Sequence, residues 1–302
     1  MEEVKNYNAV VEIASKHLGQ VGGAGYSDQY DPSLLVAVPR YLNREGYGLT
    51  GKEFVGVDAW NAYEVSAITK KGQPVAGMLK IVCPADTEFH VESKSIKLYL
   101  NSLNMTPMGQ TAKECIKEIE TIVAKDLSEL LGGNVTCTFF KDTTGPSYGF
   151  DGFMELSGLV NLDEVEFTAF HSDASQLEAV ENFAMDNEIR VHSDLLRSNC
   201  RVTNQPDWGD VYIQMEGKTA VKFDSLAKYI VSHRQVSHFH EEICEMVFTH
   251  LMEAYKPEKL MVACLYTRRG GIDINPIRAT HRDMIPGWFA NPKSRMKKTL
   301  RQ

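Results

Sequence analysis

The order of secondary structure predicted from the sequence repeats once along this chain of 302 residues. In each half, apolar residues first alternate as in β-strands, then recur at the spacing of two successive helices, and then alternate again. The strand patterns cover residues 54–68, 73–83 and 134–140 in the first half and residues 164–170, 188–196, 210–217 and 259–267 in the second half. This repeat indicates a duplicated α+β module in which a pair of helices accompanies each set of strands.

Local sequence signals define the ends of the helices more closely than the ends of the strands. In the first half, Ser93 suits the N-cap of the first helix, and a second helix over residues 111–131 should stop at Gly132. In the second half, the apolar spacing predicts helices over Phe223–Ser232 and His240–Tyr255. Each half is therefore expected to contain two consecutive helices.

A turn-rich segment separates the two halves. Residues 141–162 hold the glycine- and proline-containing sequences TTGPSYG and DGF, which favour an irregular connection. We therefore predict one domain over residues 1–155 and a second over residues 156–302, each with its own core.

The overall charge argues against a nucleic acid as a direct partner. The formal net charge is -8, and broad phosphate-binding surfaces need clustered Lys and Arg. The basic run at residues 293–301 is interpreted as a solvated tail. No apolar stretch has the length of a signal peptide core or a membrane span, so we expect a cytoplasmic protein without membrane contact. Its six cysteines have no zinc-type spacing and should be reduced thiols.

One cysteine differs from the others in its surroundings. Cys200 lies in the polar sequence RSNCRVTNQPDW, where Arg197 and Arg201 offer positive charge that would favour a reactive thiolate. Spacing alone favours an ordinary loop cysteine, since it does not locate an acid or a base. Asp207 follows beside Trp208, and an aromatic wall could raise the pKa of its carboxyl enough to deliver a proton near neutral pH. A turn-stabilising Asp is the equally plausible alternative.

Two further segments have both structural and chemical interpretations. His240 and Glu241 open a helix, where a carboxylate already suits the helix dipole, but Glu241 could instead accept two hydrogen bonds from a guanine-type edge. Arg269 and Gly270 follow a strand and could hold phosphates, although a charged turn is the simpler interpretation. The sequence HFHEE is not the zinc motif HExxH, so we assign no metal.

Together these segments resemble the NADPH-dependent 7-cyano-7-deazaguanine reductases in their long, two-module form. The resemblance rests on four motifs: ESKSIKLYLNS at residues 92–102, LLRSNCRVTNQPDWG at residues 195–209, FHE at residues 239–241 and YTRRGGIDINP at residues 266–276. Similar sequences at YDPSLLVAVPRYLNR and GVDAWNAYE extend it over nearly the whole chain.

The resemblance implies an α+β fold of two tandem tunnelling-fold modules in a homodimer. It also implies an oxidoreductase of queuosine biosynthesis, a tRNA modification pathway, that consumes NADPH. In such an enzyme Cys200 would attack the nitrile as a nucleophile, and Asp207 would supply a proton. Residues implied to bind the substrate are Val91, Glu92, Ser93, His240 and Glu241. Residues implied to bind NADPH are Ser93, Lys94, Arg269 and Gly270, with Lys97 offering further charge for its phosphates.

Two alternatives remain open at this point. A relative that also binds the cyano base through cysteine, but adds an amine instead of hydride, would not need NADPH. A tunnelling-fold module that binds a purine or pterin without turnover would need neither Cys200 nor Asp207. The intact sequence ESKSIKLY favours the reductase, because that motif accompanies cofactor use in the family. The C-terminal stretch over residues 280–302 is longer than the family requires, which leaves its role open.

Overall fold

The computed structural model describes residues 27–180 and 187–302, together with Ala9, Glu12 and Ile13. Its helices are α1 (Tyr41–Arg44), α2 (Ser93–Ser102), α3 (Ala112–Leu131), α4 (Phe223–Ser232), α5 (His240–Tyr255) and α6 (Gly287–Ala290). Its strands are β1 (Ala37–Pro39), β2 (Val55–Ile68), β3 (Pro74–Pro84), β4 (Phe89–Val91), β5 (Thr136–Phe140), β6 (Ser147–Tyr148), β7 (Met154–Glu155), β8 (Ala179–Val180), β9 (Asn187–Ser193), β10 (Arg197–Asn199), β11 (Pro206–Gly217), β12 (Ala220–Val221), β13 (Lys259–Tyr266), β14 (Ile272–Ala279) and β15 (Arg295–Met296). Short 3₁₀ turns lie at Pro32–Leu34, Glu45–Tyr47, Leu156–Gly158, Leu162–Glu164, Ala174–Gln176, His233–Gln235 and Arg282–Met284. None of the helices in this described part of the chain has both the length and the apolar character that crossing a bilayer requires.

The strands of both halves form one continuous sheet. Its order is β5-β3-β2-β14-β13-β11-β9-β7, and β10 pairs with β11 beside this path. Neighbouring strands are antiparallel except β7 and β9. The two halves join where β2 pairs with β14, which covers an otherwise open sheet edge of each half. The α+β class is confirmed, while the boundary after residue 155 stays a prediction.

Alternate residues of the central strands face two different cores. On β13, Val262 and Cys264 belong to the core under α4 and α5, whereas Met261 and Ala263 belong to a core on the opposite face with Phe289 of α6. In the first half, α2 and α3 pack on β2 and β3 in a core of their own. The duplicated set of strands and two helices that the sequence predicts is therefore confirmed.

Helix α3 forms where its capping residues predict it. The Thr111 side chain accepts a hydrogen bond from the backbone of Glu114, whose carboxylate in turn accepts one from the Thr111 backbone, so the first turn is capped reciprocally. The helix ends at Gly132, which has φ of 70° and takes a left-handed conformation that other residues rarely adopt. Buried side chains recur every four residues at Cys115, Ile119, Val123, Leu127 and Leu131.

Two local predictions are wrong. The N-cap of α2 is Glu92, not Ser93, because the longer Glu92 carboxylate reaches the backbone amides of both Lys94 and Ser95. The strand expected over residues 164–170 does not form, since β9 already occupies the place beside β11 and β7 covers the other edge of β9.

The prediction that the basic run at residues 293–301 is a solvated tail is wrong. Its residues form β15, which pairs with β6, and Lys298 lies 3.2 Å from the buried carboxylate of Asp273. Farther upstream, the buried ammonium of Lys80 donates to three backbone carbonyls, those of Trp288, Asn291 and Ser294. Buried polar groups need partners of this kind, so the sheet binds the C-terminal segment instead of leaving it in solvent.

Candidate active site

A cavity of about 250 Å³ lies where the two halves meet. Its walls include every proposed site residue except Glu92, namely Val91, Ser93, Lys94, Cys200, Asp207, His240, Glu241, Arg269 and Gly270. Residues 91–94 come from the first half and the others from the second, so the sheet pairing of β2 with β14 builds the site from both modules.

Cys200 lies in the tight loop between β10 and β11. Its backbone amide donates to the carbonyl of Gln205, and its carbonyl accepts from Asn204, which has a positive φ of 52°. The Lys94 ammonium lies 3.8 Å from the Cys200 sulfur. Burial alone would raise the pKa of this thiol, but hydrogen bonds from Thr203 and the charge of Lys94 lower it below its ordinary value. The loop therefore presents a thiol that ionises more readily than a free cysteine.

The positive charge beside Cys200 comes from Lys94 and not from Arg197 or Arg201, its neighbours in sequence. Arg201 forms a buried ion pair with Glu242 at 2.7 Å, and Arg197 lies over the ring of Trp208. The expectation that these two arginines activate the thiol is therefore wrong, because their guanidinium groups are directed to other partners.

Asp207, the second residue of β11, lies opposite Ser198 in the β10–β11 pair. Its carboxylate is buried and meets His240 Nε2 at 3.4 Å and Arg269 at 2.5 Å. Burial alone would raise the pKa of Asp207. The electrostatic interactions and hydrogen bonds with His240 and Arg269 outweigh burial and lower the pKa. The expectation that Trp208 raises this pKa is wrong, because the Arg269 guanidinium and the His240 imidazole face the carboxylate, and Trp208 points to the other side of the strand.

His240 and Glu241 open helix α5 at one wall of the cavity. The imidazole of His240 stacks on Tyr266, with ring centroids 3.8 Å apart and planes within 9°. Glu241 is buried, and its Oε1 atom has no hydrogen-bond partner in the described structure. Burial and the negative charge of Asp58 raise the pKa of Glu241 to about 7. Helix capping does not account for Glu241, since Glu242 accepts the hydrogen bond from the Phe239 amide.

A buried network of ion pairs anchors α5 beneath the cavity. Glu245 pairs with Arg44 and Arg278 at 2.8 Å each, and Asp58 pairs with Arg278 at 2.8 Å and with Arg40 at 2.7 Å. These five side chains come from α5, β2, β14 and the segment around α1, so they fix Glu241 relative to both halves. The sequence analysis missed them, because nothing local marks charges that pair across long separations.

The motif at residues 92–102 begins at the cavity wall. Val91, Ser93 and Lys94 line the cavity, but the Glu92 Oε2 atom accepts from two backbone amides of α2. Its Oε1 atom lies 3.4 Å from the Ser93 hydroxyl and 3.6 Å from the Lys94 ammonium. Glu92 thus supports the two residues that follow it, and its own contact with a substrate stays a prediction.

Arg269 and Gly270 form the turn between β13 and β14. The Arg269 guanidinium donates to Asp207 from one terminal nitrogen and to Gln205 and Thr203 from the other. Gly270 has φ of 59°, and a side chain there would collide with Lys97. The partly exposed Arg269 guanidinium therefore contacts the buried carboxylate of Asp207.

Several cavity residues were not predicted from the sequence, although Trp60, Ile272 and Ile274 belong to segments that carry the resemblance. These residues are Trp60, His90, His238, Ile272 and Ile274. Strand alternation on β2 and β14 could have indicated Trp60, Ile272 and Ile274, but it could not have shown which face carries the cavity.

Each half of the chain matches a model of a known protein family. A family model described as nitrile reductase, 7-cyano-7-deazaguanine-reductase N-term, matches residues 26–139. A second model, described as QueF-like protein, matches residues 206–284. One model thus matches within each half, which agrees with two tandem modules.

Curated relatives match most of the chain. A protein from Hahella chejuensis named NADPH-dependent 7-cyano-7-deazaguanine reductase is 42% identical over 88% of this chain and 93% of its own length. Proteins of the same name from Rickettsia massiliae and Colwellia psychrerythraea are 39% and 34% identical, over 85% and 93% of this chain and 90% and 97% of their own lengths. The chain therefore belongs to the family of NADPH-dependent 7-cyano-7-deazaguanine reductases.

Proposed function

We propose that this protein reduces the nitrile of 7-cyano-7-deazaguanine to the primary amine, 7-aminomethyl-7-deazaguanine, with NADPH as the reductant. The observation that carries the proposal is that Cys200, with Lys94 at 3.8 Å from its sulfur, shares one cavity with Asp207 and Glu241. A nucleophile, a proton carrier and a partner for a guanine-type base are the three groups that the protein itself must supply, while NADPH supplies the hydride.

Glu241 is proposed to hold the base. The ring N–H and the exocyclic amino group of a guanine-type edge both donate, and a carboxylate can accept the two hydrogen bonds side by side. The unpartnered Oε1 atom of Glu241 supports this role, because a buried acceptor without a partner is costly unless a ligand satisfies it. His240, held flat against Tyr266, offers a second polar contact at the same wall.

Cys200 is proposed to attack the nitrile carbon. A bond forms between the sulfur and this carbon, one π bond of the nitrile breaks, and the thiol proton ends on the nitrogen to give a thioimide. Asp207 is suited to carry that proton, because its lowered pKa leaves a carboxylate that can accept it from the thiol and then release it. Lys94 favours the thiolate at the start of this step.

The residues around the cavity fit a dinucleotide cofactor. Lys94, Lys97 and Arg269 bring positive charge to one rim, and the turn at Gly270 lets a ligand approach the backbone closely. When bound, NADPH supplies one hydride to each of two successive reductions, which together convert a nitrile to an amine. We propose that Ser93, Lys94, Arg269 and Gly270 hold it, and that Asp207 and His240 return the protons taken up by the nitrogen.

The wider setting is part of the same proposal. The product would enter queuosine biosynthesis in the cytoplasm, and the enzyme would act as a homodimer on the free base, without binding nucleic acid directly.

The proposal is tested by the stoichiometry of NADPH oxidation. Purified protein should oxidise NADPH only when 7-cyano-7-deazaguanine is supplied, and should consume two molecules for each nitrile. Cys200→Ala should abolish this oxidation, whereas a matched change of the buried Cys264, Cys264→Ala, should leave it intact. Addition of ammonia to the nitrile without NADPH would instead identify the amine-adding activity, and binding of the base without any product would identify a binding module.

A further inference from the structure

A second cavity of about 190 Å³ continues from the first one along the surface of α2. The two cavities share Lys97, Gly270 and Ile272 as lining residues. The remaining walls of the second cavity are Ala62, Glu64, Val65, Leu100, Asn101 and Gly271. A ligand bound beside Cys200 can therefore extend into this second space without leaving the protein surface.

The backbone around this space departs from regular structure at two places. The pairing of β2 with β3 shifts register between Ala62 and Val65, which is the irregularity of a β-bulge and brings Glu64 to the cavity. Gly271 has φ of 81°, and a side chain there would collide with the Glu64 carboxylate at 2.5 Å from its carbon. The bulge and the glycine together make room for a carboxylate at the rim.

The walls of the second cavity combine an apolar surface with polar groups at its edge. Ala62, Val65, Leu100 and Ile272 are all buried and apolar. Glu64 and Asn101 are polar groups at the edge of this apolar surface. The Asn101 amide already donates to the Ser27 carbonyl at 3.3 Å and accepts from the Asn104 amide at 2.7 Å. The exposed Glu64 carboxylate is therefore the group at this edge that can accept from a ring carrying an exocyclic amine.

Lys97 lies at the junction of the two cavities. No carboxylate in the described part of the chain pairs with it within 4.0 Å, although its ammonium packs against Gly270. An unpaired cation at this point suits an anionic link between a group in the first cavity and a group in the second.

We propose that the second cavity binds the adenosine half of the dinucleotide cofactor, with the adenine ring against Leu100 and Val65 and the diphosphate beside Lys97. This inference rests on the proposed function and extends it. The Glu64 carboxylate accepts a hydrogen bond from the adenine amino group. The nicotinamide half then remains in the first cavity, next to the carbon held by Cys200.

Binding of cofactor fragments tests this assignment without turnover. The probes are NADPH, adenosine 2′,5′-bisphosphate and reduced nicotinamide mononucleotide, each titrated by calorimetry into the full chain. Glu64→Ala should weaken the binding of NADPH and of the bisphosphate about tenfold, which is the loss expected for one hydrogen bond to a charged group. The mononucleotide should bind equally well to both proteins. Glu88→Ala, which removes an exposed carboxylate elsewhere in the same half, is the matched control and should not change the affinity for any of the three probes.

The possible results separate the two proposals. Unchanged NADPH binding in Glu64→Ala, tighter binding, or an equal loss for the mononucleotide would each overturn the adenosine assignment. Failure of the unmodified protein to bind the bisphosphate would overturn it as well. Covalent labelling of Cys200 by the cyano base, followed by intact mass measurement, needs no cofactor, so it reports on the proposed reaction independently of these titrations.

Discussion

Binding of the deazaguanine base should weaken as the pH falls, since its proposed partner Glu241 loses its charge near neutrality. Burial and the charge of Asp58 raise the pKa of Glu241 to about 7, and its Oε1 atom has no hydrogen-bond partner that would favour ionisation. The base offers two donors, so it requires the ionised carboxylate. A proton on Glu241 and the base therefore compete for the same oxygen atoms.

The size of the effect follows from this pKa. About one pH unit above it, roughly nine-tenths of the Glu241 carboxyl groups are ionised, and about one unit below it only a tenth are. The dissociation constant of the base should therefore rise about tenfold between pH 8 and pH 6. Glu241→Gln replaces one acceptor by a donor that meets the amino group of the base. Loss of one hydrogen bond to a charged group should cost about 1.5 to 3 kcal/mol, or roughly 10- to 150-fold in affinity.

The assay is a calorimetric titration of 7-cyano-7-deazaguanine into Cys200→Ala protein, which removes the covalent step. The affinity should fall toward acidic pH in this background and be weak and nearly independent of pH when Glu241→Gln is added. Glu253→Gln, an exposed change on the same helix, is the control and should keep the pH profile. An affinity that is flat across this range, or a profile that survives Glu241→Gln, would refute the role of Glu241.

Two stability predictions come from the same buried charges. Glu245→Ala leaves the guanidinium groups of Arg44 and Arg278 without their shared carboxylate, so urea denaturation should report a loss of about 3 to 5 kcal/mol, and a loss below 1 kcal/mol would contradict the network. Glu241→Gln should act in the opposite direction: the folded pKa lies above the ordinary 4.5, so burial of the charge opposes folding progressively as the pH rises from 4.5 to about 7. The Gln variant should therefore be more stable by up to about 3 kcal/mol near pH 8 and nearly unchanged near pH 4, and equal effects at the two pH values would contradict the shift.

The helices were predictable because their signals are local. The reciprocal cap at Thr111 and the stop at Gly132 lie within a few residues of the helix they define, and α4 and α5 begin and end where apolar spacing places them. The cap of α2 is Glu92 and not the predicted Ser93, because residue preference favours Ser at an N-cap and only the backbone geometry shows that the Glu92 carboxylate takes this role.

The electrostatics of the site were not predictable from neighbouring residues. Lys94 lies 106 positions before Cys200, and the two come together through contacts between the halves such as the pairing of β2 with β14. The direction of the Asp207 pKa shift depends on His240 and Arg269, which come from two other elements of the second half. Residue types and motifs thus indicated residues that line one cavity, whereas the charge state of these residues depends on contacts that the sequence does not specify.

The continuous sheet was not predictable either, because it also depends on a contact between the two halves. Each half has its own strand and helix pattern, but nothing in either pattern indicates that β14 pairs with β2. The docked C-terminal segment was missed for a similar reason, since the buried partners of Lys298 and the carbonyls around Lys80 lie far away in sequence.

The most direct test of the central claim is an intact mass measurement of the protein after incubation with 7-cyano-7-deazaguanine in the absence of NADPH. We predict a mass increase equal to one molecule of the base, located on the peptide that contains Cys200 and lost when NADPH is added. An unmodified mass, or an adduct that persists in Cys200→Ala, would contradict the assignment of Cys200 as the nucleophile.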